Sequence, residues 1–116
     1  MKSYSAATGY VYQYYFYEVE KSRRGSAAGN EYTYMVSADR KNVFPLRIFV
    51  RRDALDRLGN ATGRSLTGTE EYAVAKMRLF QAFDEMENLA KGAVEAPPEL
   101  QVDESNLESL LAALDL

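Results

Sequence analysis

Six of the eight residues at 10–17 are aromatic, within the run GYVYQYYFYEVEK at 9–21. Aromatic and β-branched side chains fit a pleated surface, so the run reads as one long strand. Strict alternation places Tyr10, Tyr12, Tyr14 and Phe16 on one face and Val11, Tyr15, Tyr17 and Val19 on the other. A strand apolar on both faces needs cover on both sides, or it presents one face to a partner. That requirement limits what the rest of the chain must supply.

The next stretch, SRRGSAAGN at 22–30, has two glycines and adjacent Arg23 and Arg24 and reads as a long mobile loop. A second strand is expected over 31–38, with Tyr32, Tyr34 and Val36 on one side. The third, 43–51, has the cleanest alternation: Phe44, Leu46, Ile48 and Val50 share one face, and Arg47, Phe49 and Arg51 the other. Pro45 places its beginning at an edge, because proline has no N–H for a ladder. Asp53 opens a short helix with Asp56 at the capping-box offset, Leu55 and Leu58 on its apolar side and Gly59 placed to end it.

Residues 60–68 read as a loop, and a main helix is expected over 69–91, stopped by Gly92. At 100° per residue, Tyr72, Ala75, Leu79, Ala82, Phe83, Met86 and Ala90 gather on one side of it. The sequence therefore predicts an α+β fold: a three-stranded antiparallel meander, a short helix and one long helix on one face, then a C-terminal amphipathic helix. Residues 1–92 form the domain, 93–104 a linker containing Pro97 and Pro98, and 105–116 the tail helix, with Ser105 and Glu108 at capping-box spacing. Leu107, Leu110, Leu111 and Leu114 make one stripe on that tail, the pattern of a short helix that docks on a partner or on its own body.

Charge divides along the chain. Residues 1–91 hold all 14 basic residues and 11 acids, +3, whereas residues 92–116 hold six acids and no base, −6. A basic body with an acidic amphipathic tail points to binding, the tail competing for the site or recruiting a second partner. With no histidine and no cysteine, the chain has no imidazole acid–base pair, no Ser-His-Asp triad, no thiolate nucleophile and no His- or Cys-ligated metal. No cofactor is implied. No run approaches the length of a membrane helix and no signal peptide is visible, so a cytoplasmic protein without a membrane partner is expected.

The candidate binding surface is Tyr10, Tyr12, Tyr14, Arg23, Arg24, Arg47 and Arg51, because rings interleaved with arginine on a sheet can stack and hold single-stranded nucleic acid. The competing reading packs those tyrosines under the helix or across a dimer interface. Arg51 and Arg52, with Arg47 and Arg57, form a second candidate, an anion site at a helix amino end. The clusters Glu70–Glu71, Asp84–Glu85 with Glu87, and Asp53–Asp56 are the carboxylates a metal-dependent hydrolase would need to converge; a solvated face is the reading favoured for them. The reading favoured by the sequence is a non-catalytic interaction or regulatory module, a homodimer with a possible further partner for the tail helix. A single-strand nucleic-acid binder with an autoinhibitory acidic tail ranks second and an enzyme third.

Overall fold

The computed structural model describes residues 1–87, 89 and 98–116. The chain is α+β, and its strands are β1 (Lys2–Ser5), β2 (Val11–Arg24), β3 (Ala27–Ser37), β4 (Phe44–Arg51) and β5 (Glu99–Val102), with helices α1 (Arg52–Thr62), α2 (Gly68–Glu85) and α3 (Leu107–Ala113). They form one five-stranded sheet in the order β1-β2-β3-β4-β5. Neighbours run antiparallel except β4 and β5, which are parallel. The three expected strands are thus flanked by two more. Both are four residues long, too short for a periodicity of their own, and pairing with β2 and β4 forms them.

The stretch expected to be a loop at 22–30 is ladder instead. β2 and β3 stay paired out to Arg24 and Ala27, leaving a two-residue turn at Gly25–Ser26. Gly25 takes a φ of 61° at the first loop position, where tight hairpin turns use glycine. A bulge between Phe16 and Glu18 shifts the register of β2. It carries Val19 to the face of Tyr32, opposite to the face strict alternation gave it.

One face of the sheet carries the core. Tyr12, Tyr14, Tyr32, Tyr34, Val36, Leu46, Ile48, Val50, Leu100 and Val102 are buried with Val74, Ala75, Leu79, Ala82 and Phe83 of α2. Helix α2 begins one residue before its expected start. Thr67 and Glu70 form a reciprocal capping box: the Thr67 hydroxyl accepts from the Glu70 N–H (3.1 Å) and the Glu70 carboxylate accepts from the Thr67 N–H (2.9 Å). The helix ends at Glu85, with Met86 as its cap, short of the expected residue 91; Gly92 and linker residues 93–97 lie outside the described residues. Helix α1 runs past Gly59 to Thr62 and ends at Gly63, whose φ of 71° fits a left-handed cap. Ahead of α3, Asp103 replaces the expected Ser105 capping box. Its carboxylate accepts from the Ser105 N–H (2.9 Å), and its carbonyl from the Leu107 N–H (3.0 Å).

Candidate functional site

The tyrosines expected on a binding surface are interior. Tyr12 is fully buried and stacks on Phe83, ring centroids 4.3 Å apart; Tyr14 is buried and meets Phe80 edge-on at 5.5 Å. Tyr10 is half-buried beside Tyr12. Tyr4, on the added strand β1, stacks on Phe80 at 4.3 Å and donates its hydroxyl to Asp84 (2.7 Å). Helix α2 supplies phenylalanines at the positions where β1 and β2 present tyrosines, so these rings form the core. Desolvation raises the hydroxyls of Tyr12 and Tyr14 above the usual tyrosine range.

The expected arginines do not converge. Arg51 holds Asp53 through two bonds of 2.9 and 2.6 Å. Arg57 pairs with Glu104 at 2.6 Å, so the anion site proposed around Arg51, Arg52, Arg47 and Arg57 is partly neutralised by the chain's own acids. Arg24 bends over the helix-free face. Its guanidinium lies 5.0 Å from the Phe49 ring, donates to the Leu100 carbonyl (3.2 Å) and pairs with Glu31 (3.2 Å). That cover leaves Phe49 with 0 % exposure on the face opposite the core, where sequence alone would leave it open. Arg23 is exposed and donates to the Ser26 carbonyl, and Arg47 is exposed on the helix-free face.

The leucine stripe of the tail is also used within the chain. Leu107, Leu110 and Leu111 are buried in the core against α2, and Leu114 packs beside them half-buried. The leucines offered for partner docking thus pack within the chain: β5 adds to β4, and α3 follows it onto the helical layer with its leucines inward.

Glu70, Glu71, Asp53 and Asp84 have structural partners. Glu71 accepts from Tyr32 and Asn30, Asp84 from Tyr4 and the Ala7 N–H, and Glu70 caps α2. Among the described residues no cluster of acids is arranged to hold a metal ion. Asp39 accepts from the N–H groups of Lys41 and Asn42, both at 2.8 Å, and these bonds lower its carboxyl to about 2. No helix among the described residues is long and apolar enough to cross a membrane.

Exposed apolar side chains lie on both faces: Phe16 and Val19 on the helix side, and a broader patch on the helix-free face away from Arg24. Two cross-strand rows define it. Tyr15 of β2, Met35 of β3 and Pro45 of β4 lie in one, and Glu18, Thr33 and Arg47 in the next. Tyr15 is 41 % exposed, Tyr17 at the bulge 60 %, Val11 45 % and Val43 49 %. Beyond Tyr14, β2 has no strand on its outer side, because β1 pairs only with residues 11–14. The signal for this surface was present in the sequence as Val11, Tyr15 and Tyr17, the second face of the aromatic strand. In comparisons with protein-family models, curated proteins and solved structures, nothing matches the chain.

Proposed function

We propose that the chain is a non-catalytic interaction module that works as a homodimer, two copies packing their helix-free faces together. The observation that carries the reading is the apolar row of exposed Tyr15 and half-buried Met35 and Pro45 beside the row Glu18–Thr33–Arg47, whose outer members are charged and exposed. A twofold axis along β3 lays β2 of one copy over β4 of the other. Glu18 then meets Arg47 of the second copy, Tyr15 meets Pro45, and Met35 meets Met35. Neither Glu18 nor Arg47 has an ion-pair partner among the described residues, so both charges are available. Sheets packed face to face with aligned strands are a standard way to bury such a surface, and a closed twofold arrangement is the commonest oligomer.

Light scattering at 10–200 μM tests the reading, with a dimer mass expected. Glu18→Arg and Arg47→Glu should each weaken the dimer, and the combined exchange should restore it. A monomer at every concentration, or an unchanged dimer in both single variants, would overturn it. The nucleic-acid reading has less support, because Tyr12 and Tyr14 are spent in the core.

A further inference from the structure

On the helix side of the hairpin tip, a cavity of about 590 Å³ opens between β2, β3 and the start of α1. It is lined by Lys21, Ser22, Arg23, Ala28, Gly29 and Arg52: three cations and no acid. The strand register places Lys21 beside Asn30 and Arg23 beside Ala28, on the face that looks toward the helices, and Arg52 is the first residue of α1. Among the described residues none of the three cations has a carboxylate within ion-pair distance.

The acids on the surrounding elements are committed elsewhere. Asp53 is held by Arg51, Glu31 by Arg24, and Glu71 by Asn30 and Tyr32. Asp56, one turn along α1, makes no ion pair with Arg52, and Glu20 points to the opposite face of the sheet. Among the described residues, Arg24, Arg51, Arg57 and Arg64 each pair with an acid of the chain; Lys2, Arg40, Lys41, Arg47, Lys76 and Arg78 do not, and what sets Lys21, Arg23 and Arg52 apart is that they line one concavity. Three uncompensated cations facing one concave volume repel one another, and they concentrate a field that attracts an anion.

Shape and donor set together select the ligand. Two guanidinium forks and one ammonium suit the several acceptor oxygens of a phosphate or pyrophosphate. No aromatic ring lines it, so nothing is arranged to stack a base. We infer that this cavity binds a phosphorylated small molecule through its phosphate or pyrophosphate group.

Calorimetric titration of the full chain with sodium pyrophosphate at low salt tests the inference, against the triple variant Lys21→Gln/Arg23→Gln/Arg52→Gln. All three side chains are exposed, so circular dichroism and the melting temperature should match wild type. Each substitution should weaken binding by about 10-fold, and the triple variant should show no binding. A control variant, Arg40→Gln/Lys41→Gln, removes charge from the turn before β4 and should bind as wild type does. The proposal is overturned by absence of wild-type binding at 1 mM, by equal weakening in the control, or by full binding in the triple variant. A parallel titration with a 12-residue oligothymidylate separates the sources of phosphate. Triple-variant-sensitive binding of the oligonucleotide without binding of pyrophosphate would overturn the small-molecule assignment. These substitutions lie off the helix-free face, so the molar mass should not change with them.

Discussion

Replacing Gly29 with alanine should be among the most damaging single-methyl changes available in this chain. Gly29 sits in β3 opposite Arg51, near the hairpin end from which Arg24 reaches β5. A Cβ there would lie 2.2 Å from the Val50 carbonyl oxygen and 2.9 Å from the ring of Phe49. Ordinary carbon–oxygen contact begins above 3 Å, so the two backbones would have to separate by roughly 1 Å, at the cost of local ladder bonds. The ring cannot yield, because Phe49 is fully buried under Arg24. Overpacking costs about 1–3 kcal/mol and more where backbone must move, so about 3–5 kcal/mol is expected. A chain of this size is stable by about 5–15 kcal/mol. With a urea slope of about 2 kcal/mol/M, the midpoint should fall by about 1.5–2.5 M in equilibrium denaturation followed by circular dichroism. Adding Phe49→Leu should recover little, because the Val50 carbonyl is still in the way. A midpoint within 0.3 M of wild type, or full rescue by Phe49→Leu, would refute the reasoning.

Alkaline pH should unfold the protein steeply. Tyr4 is raised to about 12 by its hydrogen bond to Asp84 and by burial, and burial is the largest cause raising Tyr12, Tyr14, Tyr32 and Tyr34. Folded values above the unfolded value of about 10 mean that stability is intact below that pH and falls as pH rises through it, by about 1.4 kcal/mol per pH unit for each proton released on unfolding. Urea midpoints that stay constant from pH 9 to 11 would contradict this. Thr67→Ala removes the acceptor for the Glu70 N–H and should cost about 1 kcal/mol, read as a small midpoint shift with no change in slope. Ending the chain after residue 98 removes five buried apolar side chains, Leu100, Val102, Leu107, Leu110 and Leu111. At about 1.5–3 kcal/mol each, their loss is comparable with the whole stability, so a cooperative melt of residues 1–98 would count against the packing described.

Alternation made 43–51 legible, and its assigned faces are those of β4. The α2 stripe was legible too, because its apolar residues return every three or four positions over five turns. Where the sequence misled, a tertiary partner overrode a local preference. Ser22, Gly25 and Ser26 have turn chemistry, yet pairing with β3 carries the ladder through all but two residues of that stretch. The bulge at Tyr17 left no compositional mark and still moved Val19 to the other face. The aromatic strand showed two greasy faces but not which one the helix would take. That choice depends on Phe80 and Phe83 matching Tyr4, Tyr12 and Tyr14 in space. The leucines of α3 announced a docking helix; only the added strand β5 shows that the dock is the chain's own core.

The division of charge acquires a different meaning once β5 is in place. A basic body and an acidic end suggest a tail competing for an external site, but three arginines of the body hold the end of the chain, two of them through its backbone carbonyls. Arg57 reaches Glu104, Arg24 donates to the Leu100 carbonyl and Arg78 to the Gln101 carbonyl. The Arg57–Glu104 pair is largely exposed and adds little by itself. The two bonds to β5 carbonyls are part-buried, and a guanidinium bound to a carbonyl there is stronger than a neutral pair. These three cations are therefore accounted for by the architecture. Arg47 on the helix-free face, and Lys21, Arg23 and Arg52 around the hairpin-tip cavity, are not: Arg23 donates only to the Ser26 carbonyl of its own turn, and no carboxylate among the described residues neutralises any of the four. Charges that a fold neither uses nor cancels are where binding to something else is best sought. Among such charges, Arg47 lies on the helix-free face, suited to a second copy of the chain, and Lys21, Arg23 and Arg52 share one concavity, suited to a phosphate.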